Sequence, residues 1–252
     1  LDMIKKIAKY TFRIFKFFFF KIGYSIEVAK NNEHSHYVLL DKSRWVPFVD
    51  QNKDIELYYN SIKTVEGEWS NSIYKELRHY NLIQCIKNVL NNRIDGDFAE
   101  CGVWYGHSAH FTANLIEQSG QNKLLHLFDS FEGLSDRGDK DKSLIKLNKK
   151  LIQNEAEYFS VGEDIVKRNL KDFTNVKYYK GWIPEKFNKV ENKQFSFVHI
   201  DVDLYQPILS SLNFFHNKIS KGGIIVLDDY DSSKFMGAKI AVDEFDPMSK
   251  KD

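Results

Sequence analysis

Short apolar runs alternate with helical spacing over the last two thirds of the chain. The runs are "GDFAECGV" at 96–103, "KLLHLFD" at 123–129, "NVKYYKG" at 175–181, "FSFVHID" at 195–201 and "GGIIVLD" at 222–228. Each is short and nearly continuous in apolar character, as strands buried on both faces are. Helical stretches fall between them, such as "HSAHFTANLIEQ" at 107–118 and "PILSSLNFFHNKI" at 207–219. Upstream, "NSIYKELRHYNLIQCIKNVLN" spaces Ile73, Leu77, Tyr80, Ile83, Ile86 and Leu90 at threes and fours, which predicts an amphipathic helix over 71–91. Strands alternating with helices predict an α/β domain over 70–252, with a mainly parallel sheet and helices on both faces. The charged gap at 134–174 predicts a helical insertion over the site. Residues 31–69, polar, aromatic-rich and without a clear period, predict an irregular arm or cap.

The N-terminal segment follows another pattern. "MIKKIAKYTFRIFKFFFFKIGY" interleaves lysines and Arg13 with Ile4, Ile7, Phe12, Phe15 and a run of four phenylalanines, which predicts a basic, phenylalanine-rich helix over 1–30. It is too charged to span a bilayer. Over residues 3–24 it suits peripheral contact with the anionic inner face of a membrane. The alternative is packing against its own body or a dimer partner, which would make a homo-oligomer. Residues 1–30 hold seven Lys/Arg against two acidic residues, which leaves 29 basic and 33 acidic residues for the rest of the chain. A body with that acidic excess offers no surface for neutralising phosphates, so nucleic acid is excluded as a partner. The two cysteines, Cys85 and Cys101, both lie in apolar segments. They argue against a disulfide scaffold and for a reducing, cytoplasmic compartment. No small-residue cleavage site follows the early apolar run, so no cleavable leader is expected, and Met3 reads as the natural start.

Chemistry collects where the strands end, the side on which open α/β sheets bind ligands. "ECGVWYGHSA" closes a strand with Glu100 and puts Gly102 and Gly106 in the turn before a helix. Glycine lets backbone approach a ligand closely, and the helix N-terminus offers free N–H groups. The turn is neither a G-x-G-x-x-G fingerprint nor a phosphate loop. "LFDSFEG" ends its strand in Asp129, where a carboxylate accepts from both vicinal hydroxyls of a ribose; a helix cap is the structural alternative. "HIDVDLY" and "VLDDY" supply Asp201, Asp203, Asp228 and Asp229. If the two strands pair, at a spacing of about 4.8 Å, the carboxylates of Asp201, Asp228 and Asp229 converge. Their repulsion would force one neutral unless a hard divalent cation such as Mg2+ relieves it. Capping of the following helices is the alternative role for one or two of the four.

The segments "GDFAECGVWYGHSA", "LFDSFEGL", "YYKGWIPEKF", "HIDVDLYQP", "KGGIIVLDDY" and "GAKIAVDEF", in that order over about 70–246, resemble the macrocin O-methyltransferase family. The resemblance implies a class I methyltransferase (Rossmann-like) fold. It also implies methyl transfer from S-adenosylmethionine, with Mg2+, to a sugar hydroxyl of a cell-surface glycan or another glycosylated metabolite. By the same resemblance Asp201, Asp228 and Asp229 are metal ligands and Asp203 is the general base. Glu100, Gly102, Val103, Gly106, Ser108, Asp129, Ser130, Glu132, Gly133, Trp182 and Asp201 fall on methyl-donor contacts. The chain departs from the family in two places. His107 follows Gly106 where the family reads a second glycine, and the sequence ends at Asp252 without room for a final strand hairpin, which is expected to be missing. Both departures favour an alternative, a catalytically impaired nucleoside-binding or scaffolding remnant of the same fold. The four retained, mutually repelling aspartates favour the enzyme. A nicotinamide-dependent oxidoreductase is disfavoured by the absent fingerprint and the lack of a Tyr-x-x-x-Lys relay.

Overall fold

The computed structural model describes residues 24–30, 35–41, 53–67, 69, 71–141, 149–230 and 234–245. The chain forms two compact units, one from residues 1–56 and 70–80, the other from 57–69 and 81–252. In the first unit β1 (Tyr24–Lys30) pairs antiparallel with β2 (Ser35–Asp41). The helix expected over 1–30 is therefore a strand at its end, because "YSIEVAK" sets Ile26 and Val28 at the two-residue period of a strand. Residues 3–23, on which the expected membrane contact rests, lie outside the described residues.

The stretch 31–69, expected to be irregular, contains β2 and also α1 (Asp54–Thr64). Asp54 and Glu56 in the first turn and Lys63 in the last complement the helix dipole. Tyr58, Ser61 and Val65 are buried at spacings of three and four, a period obscured in the sequence because tyrosine and serine do not count as apolar. The helix expected at 71–91 forms as α2 (Ile73–Asn91).

The second unit holds five parallel strands: β3 (Asp97–Cys101), β4 (Leu125–Asp129), β5 (Val176–Lys180), β6 (Phe195–Ile200) and β7 (Ile219–Leu227). Their order is β5-β4-β3-β6-β7. Among the described residues α3 (His107–Gln118), α4 (Lys149–Phe159), α5 (Glu163–Asn169), α6 (Tyr205–Phe215) and α7 (Met236–Glu244) follow or separate them. The expected insertion at 134–174 carries α4 and α5. On one face Ala99, Cys101, Phe128, Val198 and Ile200 form a core with Ile208, Leu212 and Phe215 of α6 and Ala238 and Ala241 of α7. On the other, the Phe98 and Phe197 rings meet at 5.3 Å between centroids. All six residues of β6 are buried, as its unbroken apolar run requires. Residues 224–227 of β7 are only half-buried, since β7 is the outer strand among the described residues. Residues 246–252, where a final hairpin was expected to be missing, lie outside them.

The strand order reverses between β3 and β6, because the chain first winds outward through β4 and β5 and then returns. Such a switch point opens a crevice beyond the carboxyl ends of the two strands. There lie the turn after Cys101 and the turn after Ile200.

Candidate active site

The turn after β3 is wedged between its neighbours. Gly102 sits at φ +83°, and a Cβ there would lie 1.8 Å from the Asp201 carbonyl oxygen. Only glycine supplies both the left-handed backbone and the room. The Gly102 N–H donates to the Phe128 carbonyl at 2.9 Å, and the Asp201 N–H donates to the Cys101 carbonyl at 2.8 Å. The chain then passes through Trp104 and Gly106, both also at positive φ, into α3.

Asp129 ends β4 and fixes this turn. Its Oδ2 accepts from the N–H groups of Val103 at 2.6 Å and Trp104 at 3.3 Å, and its Oδ1 accepts from Phe131 at 2.7 Å. Burial raises its pKa, and the three N–H donors oppose that rise. A carboxylate has about four acceptor positions. Three are used within the protein by backbone N–H groups. Ser130 Oγ accepts from the Glu132 N–H and donates to the Gly133 carbonyl, both at 3.1 Å, closing the next turn. Gly133, at φ +96°, lets that turn approach α4, where a Cβ would lie 2.1 Å from the Ala156 carbonyl. Trp182 follows β5 and stands 37% exposed on the same edge.

The register of β3 against β6 places Glu100 opposite His199. Glu100 is 2% exposed, accepts from Ser108 Oγ, and lies 3.4 Å from His199 Nδ1. Burial works against charge on His199, but the carboxylates of Glu100, Asp201 and Asp228 outweigh it and raise its pKa to about 9.

Pairing of β6 with β7 brings Asp228 beside Asp201, its N–H donating to the Ile200 carbonyl at 3.0 Å. His199, Asp201 and Asp228 each offer a ligand atom within 4.8 Å of the others, and Asp229 lies outside that group. Asp203 is separated from Asp201 by a tight turn in which the Leu204 N–H donates to the Val202 carbonyl at 2.5 Å. It adopts φ +59° and is 8% exposed. Burial lifts its pKa well above the usual carboxylate range, the Asp229 and Asp201 charges lift it further, and Lys234 opposes them.

Residues 65–250 match the Macrocin-O-methyltransferase (TylF) family. The chain belongs to that family. It is an S-adenosylmethionine-dependent O-methyltransferase. Demethyldecarbamoylnovobiocin O-methyltransferase of Streptomyces niveus is 24% identical to it over 196 residues, covering 75% of this chain and 73% of that one. 8-Demethyl-8-(2,3-dimethoxy-alpha-L-rhamnosyl)-tetracenomycin-C 4'-O-methyltransferase of Streptomyces olivaceus is 26% identical over 155 residues, covering 60% of this chain and 59% of that one. The solved structure of the O-methyltransferase NovP superposes with a TM-score of 0.62 at 22% identity, over 79% of this chain and 88% of that one. The class I methyltransferase fold is thereby shown.

Within this methyltransferase the residues singled out in the sequence fall into two groups by the strands they follow. Glu100, Gly102, Val103, Gly106, Ser108, Asp129, Ser130, Glu132, Gly133 and Trp182 belong to the β3, β4 and β5 ends. Asp201, Asp203, Asp228 and Asp229 belong to the β6 and β7 ends. Glu132 is exposed, whereas Ser130 and Glu100 are enclosed and turned to protein partners. His107, the departure from the family, does not point outward. It is 4% exposed and its ring meets that of Trp69 at 4.4 Å. Sequence reasoning missed His199, whose position two residues before Asp201 on a strand was a usable signal. It also missed Lys234, whose charge faces Asp203 and for which no local signal exists.

Proposed function

We propose that the methyltransferase acts on a sugar hydroxyl, in a cell-surface glycan or another glycosylated metabolite, with Mg2+ held by Asp201, Asp228 and Asp229 and with Asp203 as general base. The position of Asp203 carries the proposal. It is a buried carboxylate in a left-handed turn, made more basic by burial and by Asp229 and Asp201, beside an acidic cluster at the switch point. The sugar acceptor is supported by the rhamnosyl group in the name of the Streptomyces olivaceus relative.

The donor set suits a hard cation. Asp201 and Asp228 bring together carboxylate oxygens, the donors Mg2+ prefers, with a His199 ring nitrogen within 4.8 Å of them. When bound, Mg2+ would chelate the acceptor hydroxyl and lower its pKa. Asp203 takes the hydroxyl proton while the C–S bond of the sulfonium breaks and the C–O bond forms, releasing S-adenosylhomocysteine. The sulfonium is already activated, so the turn at 102–106 and Asp129 contribute mainly by alignment. Cys85 and Cys101 are free thiols, which supports a cytoplasmic placement. No helix among the described residues is long and apolar enough to cross a membrane.

The test separates the two aspartates of "DVD", using methyl-free glycosides as acceptors and S-adenosylhomocysteine release as readout. Asp203→Asn is expected to lower turnover by roughly 100- to 10,000-fold, the usual worth of a general base, with donor and metal affinity near normal. Asp201→Asn is expected to weaken Mg2+ binding, and excess Mg2+ should restore part of the activity. Equal loss of metal in both variants, with equal recovery, would overturn the division of labour.

A further inference from the structure

The turn that presents Asp203 leads straight into α6, and α6 has no cap of its own. Its N-cap residue is Leu204, which makes no side-chain cap hydrogen bond. The N–H groups of a first helical turn need acceptors, and an uncapped start frays more easily. The acceptor comes from far away in sequence. Asp141, 8% exposed, accepts from the Tyr205 N–H at 2.7 Å through Oδ1 and from the Gly138 N–H at 2.9 Å through Oδ2. The Asp141 N–H donates to the Gly138 carbonyl at 3.0 Å, and Arg137 Nη1 donates to the Asp141 carbonyl at 3.3 Å. A third segment closes on the same carboxylate. At Gly237, in the first turn of α7, an added Cβ would lie 2.0 Å from Asp141 Oδ1 and 3.0 Å from the Tyr205 nitrogen.

We infer that Asp141 is the positioning residue for Asp203, its carboxylate supplying the missing cap of α6 and thereby holding the Val202–Leu204 turn in the left-handed form that presents Asp203. The inference rests on the reading of Asp203 as the base. Left-handed backbone at a non-glycine residue is strained and persists only where its surroundings hold it. The surroundings here are Leu204, 1% exposed on one side of the turn, and the Asp141 bond immediately after it. Neighbouring contacts brace these segments and tie α4 to them. Lys140 Nζ donates to the Tyr205 hydroxyl at 2.9 Å, and that hydroxyl donates to Glu244 of α7 at 2.6 Å. Arg137 pairs with Glu155 of α4 at 2.5 Å, and Lys234 pairs with the same carboxylate. The insertion thus clamps the catalytic turn from outside the reaction space, and Asp141 is the carboxylate that accepts from the backbone N–H at the start of α6.

The decisive experiment is a double-mutant cycle on turnover with Asp141→Ala, Asp203→Asn and the pair, alongside S-adenosylhomocysteine binding by calorimetry. Asp141→Ala should lower kcat by about 10- to 100-fold, the scale of a misplacement near 1 Å, with donor Kd within about two-fold of the parent. Asp141→Asn keeps one acceptor oxygen for Tyr205 and should recover part of the loss. Gly237→Ala, whose added Cβ would overlap Asp141 Oδ1, should reproduce the loss. Because Asp141 acts through Asp203, the double variant should be no slower than Asp203→Asn alone. Additive losses, or a fall in donor affinity that parallels the fall in kcat, would overturn the inference. Should Asp141→Ala not fold, Asp141→Asn carries the same cycle. A fast Asp203→Asn enzyme would instead overturn the base reading, and the cycle shows which of the two has failed.

Discussion

At the scale of single residues, Asp129 illustrates how one side chain can hold structure at a site proposed for a ligand. Three backbone N–H groups from two turns converge on it, so it fixes both turns without any ligand. Asp129→Ala should therefore do two things. S-adenosylhomocysteine affinity should fall by about 1–3 kcal/mol, and the thermal midpoint should drop, because buried N–H groups lose their acceptor. Calorimetry and a melt on the same sample separate the effects. An unchanged midpoint with weakened binding would leave the ribose contact as the only role. Gly102 makes the complementary case, since its requirement is an absence of atoms beside the Asp201 carbonyl.

At the scale of elements, a polar network ties the three strands on one side of the sheet together, away from the site. Asp97 at the start of β3 meets His126 of β4 at 3.1 Å and Lys193 at 2.8 Å, and His126 Nδ1 meets the Tyr179 hydroxyl of β5 at 2.8 Å. Burial by itself would raise the Asp97 pKa. The bonds from His126, Lys193 and the Leu124 N–H outweigh it and hold the carboxyl well below the usual range. Its folded pKa thus lies below the unfolded value of about 3.9. The stability it confers is fully present above that value and is lost as pH falls toward the folded one. Urea midpoints between about pH 5 and pH 2.5 should decline for the parent protein and decline less steeply for Asp97→Asn. Parallel slopes would show that the network is not linked to folding through this carboxylate.

At the scale of the whole molecule, the unit formed by 57–69 and 81–252 holds every residue of the proposed site. S-adenosylhomocysteine at 100 times its Kd should stabilise that unit by about 2.7 kcal/mol. For a unit of this size each kcal/mol raises the melting temperature by about 2–4 °C, so an increase of roughly 5–11 °C is expected. A scan with and without ligand measures it, and no shift would remove the crevice as the donor site. Much of this unit was legible in the chain. Strand and helix positions follow from run length and period, which are local properties, and the carboxylates at strand ends are visible because charge interrupts apolar runs. The strand of residues 24–30 and the helix of 54–64 were not legible, one overshadowed by a basic aromatic neighbour, the other built on buried tyrosine and serine. Register and long-range approach lay beyond the sequence as well. The pairing of β3 with β6 set Glu100 against His199 and so placed a buried carboxylate 3.4 Å from the imidazole. The approach of Asp141 to Tyr205 across 64 positions supplied a cap for which the sequence has no signal. Residue types and spacing determine which groups reach the end of the sheet. The order and register of the strands, fixed only when the core closes, decide which of those groups meet.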